Sequence, residues 1–212
     1  MFKKNLKMII ITSVVTILPM IAGLILWTKL PETLPTHWGF SGEVDGWSSK
    51  PFAVFFIPLF MLAMHLICAF ATSMDPKNEG ISSKIFGVVL WICPVVSIAC
   101  MTAVYLASLG MDVKVDTIIP LILGVLFLVI GNYLPKCKQN YTIGIKLPWT
   151  LNDEENWNKT HRFAGVVWSV CAVVMIVGAL FKNGAVYTTF PAIAVMVFAP
   201  LVYSYVYYVK HK

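Results

Sequence analysis

Residues 85–111 read IFGVVLWICPVVSIACMTAVYLASLGM. No Asp, Glu, Lys or Arg interrupts these 27 residues, and Lys84 and Asp112 bracket them. A bilayer core is crossed by about 20 apolar residues in a helix. Inside hydrocarbon every backbone N–H and C=O must be satisfied within the segment, so such a run is helical. Five further charge-free runs of similar character lie on either side, at 8–28, 51–74, 117–135, 163–181 and 183–209. None alternates strictly between polar and apolar residues, as a barrel strand would. The whole chain of 212 residues is 58% hydrophobic and only 12% charged, where a soluble domain carries about a quarter charged residues. That balance excludes a soluble enzyme, a disordered tail and a disulfide-stapled secreted module. The expectation is an all-α integral membrane protein of the cell membrane. It has six transmembrane helices and forms one multi-pass domain over residues 1–212.

The first run follows Lys3, Lys4 and Lys7 and resembles a signal peptide at first sight. Its 21 residues exceed a usual signal core, and Thr28-Lys29-Leu30-Pro31 is a poor cleavage site. It reads as an uncleaved first helix. Orientation follows from Lys and Arg in short loops. With the N-terminus inside, twelve of the sixteen Lys and Arg face the cytoplasm, and the ten acids, Glu79 among them, split evenly. The inner side then carries +7 and the outer side −1. The net charge of +6 is thus an orientation signal, with both termini cytoplasmic. No direct contact with nucleic acid is expected, since no basic-aromatic surface is available for it.

The six runs contain one ionisable group of intermediate pKa, His65. Its plainest role is a neutral imidazole hydrogen-bonded to a neighbouring helix. No acid lies at membrane depth to pair with it, which counts against an ion-coupled pump. Cys68, Cys93, Cys100 and Cys171 fall within runs and Cys137 in an inner loop. None forms a CxxC pair, and no outer disulfide is expected. Cys137 reads as a structural thiol more readily than as a palmitoylation site. Pro58 and Pro94 are the more central kink candidates. Gly124, Gly131, Gly165 and Gly178 would permit close helix approach.

Two connections exceed a minimal turn. The outer one, 29–50, contains LPETLPTHWGFSGEVDGW. Pro31 and Pro35 stiffen it, Gly39, Gly42 and Gly46 punctuate it, and Asp45-Gly46 suits a turn. Trp38, Phe40 and Trp47 stand where the interface begins. An ordered loop is expected here. Its sharper reading is a recognition surface for an amphipathic peptide or lipid, formed by His37, Trp38, Gly42, Asp45, Gly46 and Trp47. His37, Glu43 and Asp45 match no zinc template, so no metal is expected.

The inner connection, 136–162, is the most unusual part of the chain. From Gly131 it reads GNYLPKCKQNYTIGIKLPWTLNDEENWNKTHRFAG. The first half has no helix pattern. Its Tyr133, Tyr141 and Trp149 rings suit the headgroup region, with Lys136, Lys138 and Lys146 near anionic lipid. In the second half Thr150 stands three residues before Asp153, a capping-box spacing. Asp153, Glu154 and Glu155 fill a first turn, where the helix dipole favours acids, and Glu155 pairs with Lys159 at i, i+4. A short polar helix leading into the fifth span is predicted, with Trp157, Thr160, His161 and Ala164 on related faces.

The run GNYLPKCKQNYTIGIKLPWTL followed by ENWNKTHRFAG resembles the signature of the SdpI-type immunity proteins. These are polytopic membrane proteins of Gram-positive bacteria. The outer PTHWGFSGEVDGW resembles the extracytoplasmic segment of the longer members. The resemblance covers essentially the whole chain. It implies a non-enzymatic protein that protects its cell against a secreted, membrane-active toxin peptide. It also implies a sensor that holds a small cytoplasmic helix-turn-helix repressor at the membrane. The matching positions near the fourth span and the loop are Gly131, Asn132, Pro135, Asn140, Tyr141 and Gly144. Pro148, Trp149, Thr150, Trp157, Thr160, His161 and Gly165 follow. Lys146-Leu147 stands where relatives commonly have Arg-Thr, exchanging a bidentate fork for a point charge at Lys146.

The partners expected are therefore the lipid bilayer, a peptide toxin and a repressor, with no cofactor and no catalytic residue. A small transporter or permease is the alternative, as is a general envelope-stress sensor. A transporter would need a polar route for which His65 is the main candidate. An embedded enzyme would need convergent acid, base or nucleophile, and no such motif is present.

Overall fold

A computed structural model describes residues 1–39, 42–77, 80–181 and 184–211. Phe40, Glu79, Lys182, Asn183 and Lys212 lie outside the described residues. Among the described residues, six helices are long and apolar enough to cross a membrane. They are α1 (Leu6–Ile25), α2 (Ile57–Ser73), α3 (Ser83–Ser108), α4 (Val115–Tyr133), α6 (Glu154–Ala179) and α7 (Gly184–Lys210), while α5 (Pro148–Asn152) is a single short turn. The protein is a multi-pass membrane protein with the all-α architecture expected. Exposed apolar side chains face outward in stripes, as at Val166, Val170, Val173 and Val177 on one face of α6. That pattern suits a helix bathed in lipid rather than water.

The chain forms two compact units. The first comprises Phe2–Phe70 and Val89–Asp116. Its apolar centre gathers Leu30, Leu34, Ala53, Val54, Met101, Val104 and Tyr105, with Trp27, Trp38 and Phe55 packed around them. Neutral polar groups stitch the helices. Ser97 and Tyr105 of α3 donate to the carbonyls of Thr16 and Pro19 on α1, each at 2.8 Å. His65 of α2 is fully buried and lies 3.1 Å from the Thr12 hydroxyl. Thr12 donates its own proton to the Met8 carbonyl at 2.8 Å, so the imidazole Nε2–H is the donor between them. This is the hydrogen-bonded histidine expected from the sequence. Pro94 lies inside α3, but Pro58 opens α2 immediately after a π-helical turn, Phe52–Phe56. In the widened turn the Ile57 N–H reaches back to the Phe52 carbonyl, one residue beyond an α-helical bond.

The 29–50 connection is not simply an ordered loop. It contains an antiparallel hairpin, β1 (Thr33–Trp38) with β2 (Val44–Ser49). Pairing runs from Thr33 opposite Ser49 to Trp38 opposite Val44, with irregularities on both sides of His37. Pro35 in β1 and Gly46 in β2 concealed the alternation. A two-stranded ribbon is marginal alone, and here Leu34 is fully buried and Trp38 packs against the apolar centre.

The second unit comprises Ala71–Val88 and Thr117–Lys212. Cys171, Ala172, Met175, Ala192 and Met196 form its apolar centre between α6 and α7, and Leu123 and Phe127 of α4 pack against it. Helices α4 and α6 approach closely at Gly165. A Cβ there would stand 2.8 Å from the Gly131 carbonyl oxygen and would overlap the Pro135 ring. This is the small-residue contact anticipated for Gly131 and Gly165.

Candidate functional site

The segment that carries the family-like motif folds into a hydrogen-bonded knot. Asn140 is fully buried and organises its first half. Its side-chain oxygen accepts from the amides of Thr142 and Ile143 at 2.9 and 2.7 Å, and its amide donates to the Lys138 carbonyl at 2.8 Å. Asn side chains favour such local turns because they mimic a backbone carbonyl. The same amide donates to the Cys137 sulfur at 3.4 Å. Cys137 is buried, and burial pushes its thiol pKa up, which makes it a structural thiol rather than a reactive one.

Asp75 holds the segment from outside and escaped the sequence reading, which counted it only as a charge. It is 2% exposed. One carboxylate oxygen accepts from the Tyr141 amide at 2.8 Å and the Thr142 hydroxyl at 2.9 Å, and the other from the Lys77 amide at 2.7 Å. No local feature of Asp75-Pro76 announces this role, since its partners lie 66 and 67 residues onward.

Gly144 has a φ of +116°, a conformation that L side chains rarely adopt. A Cβ there would also collide with His161 Nε2 and lie 3.0 Å from the Trp157 ring. The glycine lets the next amide, Ile145 N–H, reach His161 Nε2 at 2.9 Å. Nε2 must then accept, so Nδ1 carries the proton and donates to the Trp157 carbonyl at 2.8 Å. His161 stands before the apolar run that begins at Phe163. Burial lowers its pKa to about 4, against the smaller opposing pull of the Trp157 carbonyl. The Trp157 and His161 rings stack at 4.0 Å, and Trp157 Nε1 donates to the Cys137 carbonyl at 2.7 Å.

Thr150 does not cap the long helix. Its hydroxyl accepts from the Leu147 amide at 2.9 Å and donates to the Ile145 carbonyl at 2.8 Å, closing the α5 turn. Asp153 is itself the N-cap of α6, accepting from the amides of Glu155 and Asn156. The Glu155–Lys159 pair forms at 2.9 Å. The polar turns then run without a break into the fifth span. Gln139, also missed, donates to the Thr150 and Leu151 carbonyls at 2.9 and 3.0 Å.

Ser204 of α7 joins the knot from the far side. Trp149 Nε1 donates to its hydroxyl at 3.0 Å, and Asn156 donates to its carbonyl at 3.1 Å. Thr160 donates to Asn156 at 2.9 Å. Trp149 stacks on Tyr208 and meets Tyr205 edge-on. Trp149 and Tyr208 line an open cleft of about 290 Å³ with Pro148, Asn152, Asp153 and His211. Lys146 reaches the Thr142 carbonyl at 3.0 Å, and Asn132 accepts from Lys136 at 3.4 Å. So Asn140, Gly144, Thr150, Trp157 and His161 converge directly. Gly131, Pro135 and Gly165 support them through helix contact, while Asn132, Tyr141 and Lys146 have exposed side chains.

The 29–50 candidates are spread over the hairpin. The His37 imidazole and the Asp45 carboxylate form an exposed hydrogen bond. Gly46 lies opposite His37, and Gly42 turns the chain with a φ of +82°. Trp47 is 61% exposed, whereas Trp38 is packed inward. Among the described residues no three His, Cys, Asp or Glu gather into a metal site. Lys50 was not singled out by its sequence. It is 5% exposed and donates to the Trp27 carbonyl at 3.3 Å and Glu32 at 3.0 Å, lying over the Trp27 ring.

The profile of the SdpI/YfhL protein family matches residues 136–204, from the start of this knot to Ser204. A second profile, a domain of unknown function (DUF1648), matches residues 14–62, which include the hairpin. The chain is 31% identical over 182 residues to the Immunity protein SdpI of Bacillus subtilis (strain 168), covering 85% of this chain and 84% of that one. No solved structure matches. Asp75 falls outside both profiles.

Proposed function

We propose, since the chain belongs to the SdpI/YfhL protein family, that it is a membrane immunity protein. It protects its cell against a secreted, membrane-active peptide toxin and performs no catalysis. The observation that carries this reading is identity of 31% sustained over 85% of the chain with a protein that bears that name. The toxin is met at the hairpin segment or within the bilayer, on the outer side of a protein whose termini are cytoplasmic. The knot at 136–162 faces the cytoplasm and holds a helix-turn-helix repressor when toxin is present. The buried ring of Trp157, the His161 bridge and the Trp149–Ser204 contact support a rigid docking face rather than a flexible linker.

The test is expression of the protein in a toxin-sensitive host challenged with the cognate peptide. Survival should rise with expression. Unchanged killing refutes the immunity reading. Co-fractionation of the repressor with membranes, lost in a Trp149→Ala protein that still inserts, tests the sensing half separately. A transport reading has less support. His65 is fully buried, and its Nε2 is hydrogen-bonded to Thr12.

A further inference from the structure

The knot exposes lysines whose charge has no carboxylate partner among the described residues. The lysine–carboxylate ion pairs among the described residues are Lys50–Glu32 and Lys159–Glu155. Lys77, Lys136, Lys138 and Lys146 belong to none of them, and all four are exposed. They are nevertheless held in place. Lys77 Nζ donates to the Gln139 side-chain oxygen at 2.6 Å and lies 5.3 Å from the centre of the Tyr141 ring. Lys146 Nζ donates to the Thr142 carbonyl at 3.0 Å. Lys138 lies against the backbone at Gly80, where a Cβ would stand 3.3 Å from its own Cβ. Lys136 stands over the Tyr133 ring at 5.0 Å. For Lys77, Lys136 and Lys146 the anchor is a neutral oxygen or a ring face, which holds the ammonium group without cancelling its charge.

The nearby acid, Asp75, does not neutralise them. Its carboxylate is buried and engaged by the Lys77 and Tyr141 amides and the Thr142 hydroxyl. Lys77 and Lys146 therefore meet Lys138 on one short piece of chain, residues 138–142, and present positive charge to an anion from outside. That piece follows by two residues the end of a stretch long and apolar enough to cross a membrane, Val115–Lys136, where a chain leaves hydrocarbon for the headgroup region.

We propose that the exposed face of this loop, formed by Lys77, Lys138 and Lys146 with Tyr141, is a binding seat for the phosphate of an anionic phospholipid headgroup. Lys136 and Tyr133 form its rim. The seat does not depend on the immunity reading or on which leaflet the loop faces. Its consequence is that the motif segment is folded against lipid, which contributes to its conformation.

The full-length protein in nanodiscs of phosphatidylcholine doped with phosphatidylglycerol provides the test, with lipid retention read by native mass spectrometry. The wild type should retain phosphatidylglycerol selectively. The K77Q/K138Q/K146Q protein should bind it roughly 100-fold more weakly, at about fivefold per charge. The K3Q/K4Q/K7Q protein, which removes the same charge elsewhere, should bind as the wild type does. Equal loss in both triple variants would overturn the proposal, because a diffuse basic surface would then account for retention. Selective binding preserved in K77Q/K138Q/K146Q would overturn it as well. Should that variant fail to fold, K77R/K138R/K146R decides, since it keeps the charge and must keep the selectivity. Inorganic phosphate that binds as tightly as the lipid would assign the seat to free anions and refute the lipid.

Discussion

Replacing Asp75 with Asn keeps the shape of the side chain and removes one acceptor. The carboxylate takes three donors, the Lys77 and Tyr141 amides and the Thr142 hydroxyl. An amide group has one oxygen. Whichever way it is turned, its NH2 faces a backbone N–H, either that of Lys77 or that of Tyr141. At least one buried bond to a charged group is lost, and a buried donor is left unpaired. Each loss of this kind costs about 1.5–3 kcal/mol, so opening of the loop should become easier by about 2–4 kcal/mol in total. That raises the open population roughly 30- to 700-fold. Trypsin reads it directly, because Lys138 and Lys146 are cleavable positions that bracket the Tyr141 and Thr142 contacts to Asp75, and cleavage tracks the open population when closing is fast. In detergent, Asp75→Asn should be cut at these two lysines at least 30-fold faster, by the same conversion, with cleavage after Lys7 unchanged. Wild-type cutting rates at both lysines would refute the assignment of Asp75 as the loop's anchor.

Gly144→Ala should lower stability by about 2–4 kcal/mol, from backbone strain at positive φ together with overpacking against His161 and Trp157, read as a drop in melting temperature in detergent. Trp149→Phe and Ser204→Ala should each cost about 1 kcal/mol and the double variant no more than either alone in hydrogen-bond terms; full additivity in chemical denaturation would show that the 3.0 Å contact contributes nothing. His161 has a folded pKa near 4 against an ordinary value of 6.5. Its neutral form stabilises the fold fully above pH 6.5, and the benefit is lost as pH falls toward 4. Melting temperature should therefore fall over that window by the equivalent of about 3 kcal/mol, and His161→Gln should flatten the slope; parallel slopes would exclude the histidine as the source.

Six membrane helices were legible because lipid imposes one condition on every residue of a span, the absence of charge. Their ends were less so. Helix α6 starts at Glu154, nine residues before the apolar run at Phe163, because an N-cap at Asp153 and the Glu155–Lys159 pair sustain helix in polar surroundings. The hairpin was hidden because Pro35, Gly42 and Gly46 break its alternation and its pairing is irregular around His37. Trp157, Thr160 and His161 were read correctly as sharing a face, since helical spacing is local information. Asp75 and Ser204 were not visible. Each binds chain far away in sequence, Asp75 at Tyr141 and Thr142 and Ser204 at Trp149 and Asn156, and neither has a neighbour in sequence that marks it as buried. Thr150 was placed in a capping box at the right spacing but caps the turn before it, because Asp153 takes the N-cap position for itself.

Many of the bonds that shape the knot share one trait. Asn140, Gln139, Trp157 and His161 all reach main-chain amides or carbonyls, as do both oxygens of Asp75. A side chain that grips the backbone is indifferent to what the gripped residue carries. Such bonds leave positions 143, 145 and 151 free to change identity while the loop keeps its path. The departure at Lys146-Leu147 is of this permissive kind, since Leu147 contributes its amide to Thr150 and not its side chain. The loop therefore works as a fixed frame with interchangeable outward residues, and specificity for different partners can be exchanged on it without refolding the frame.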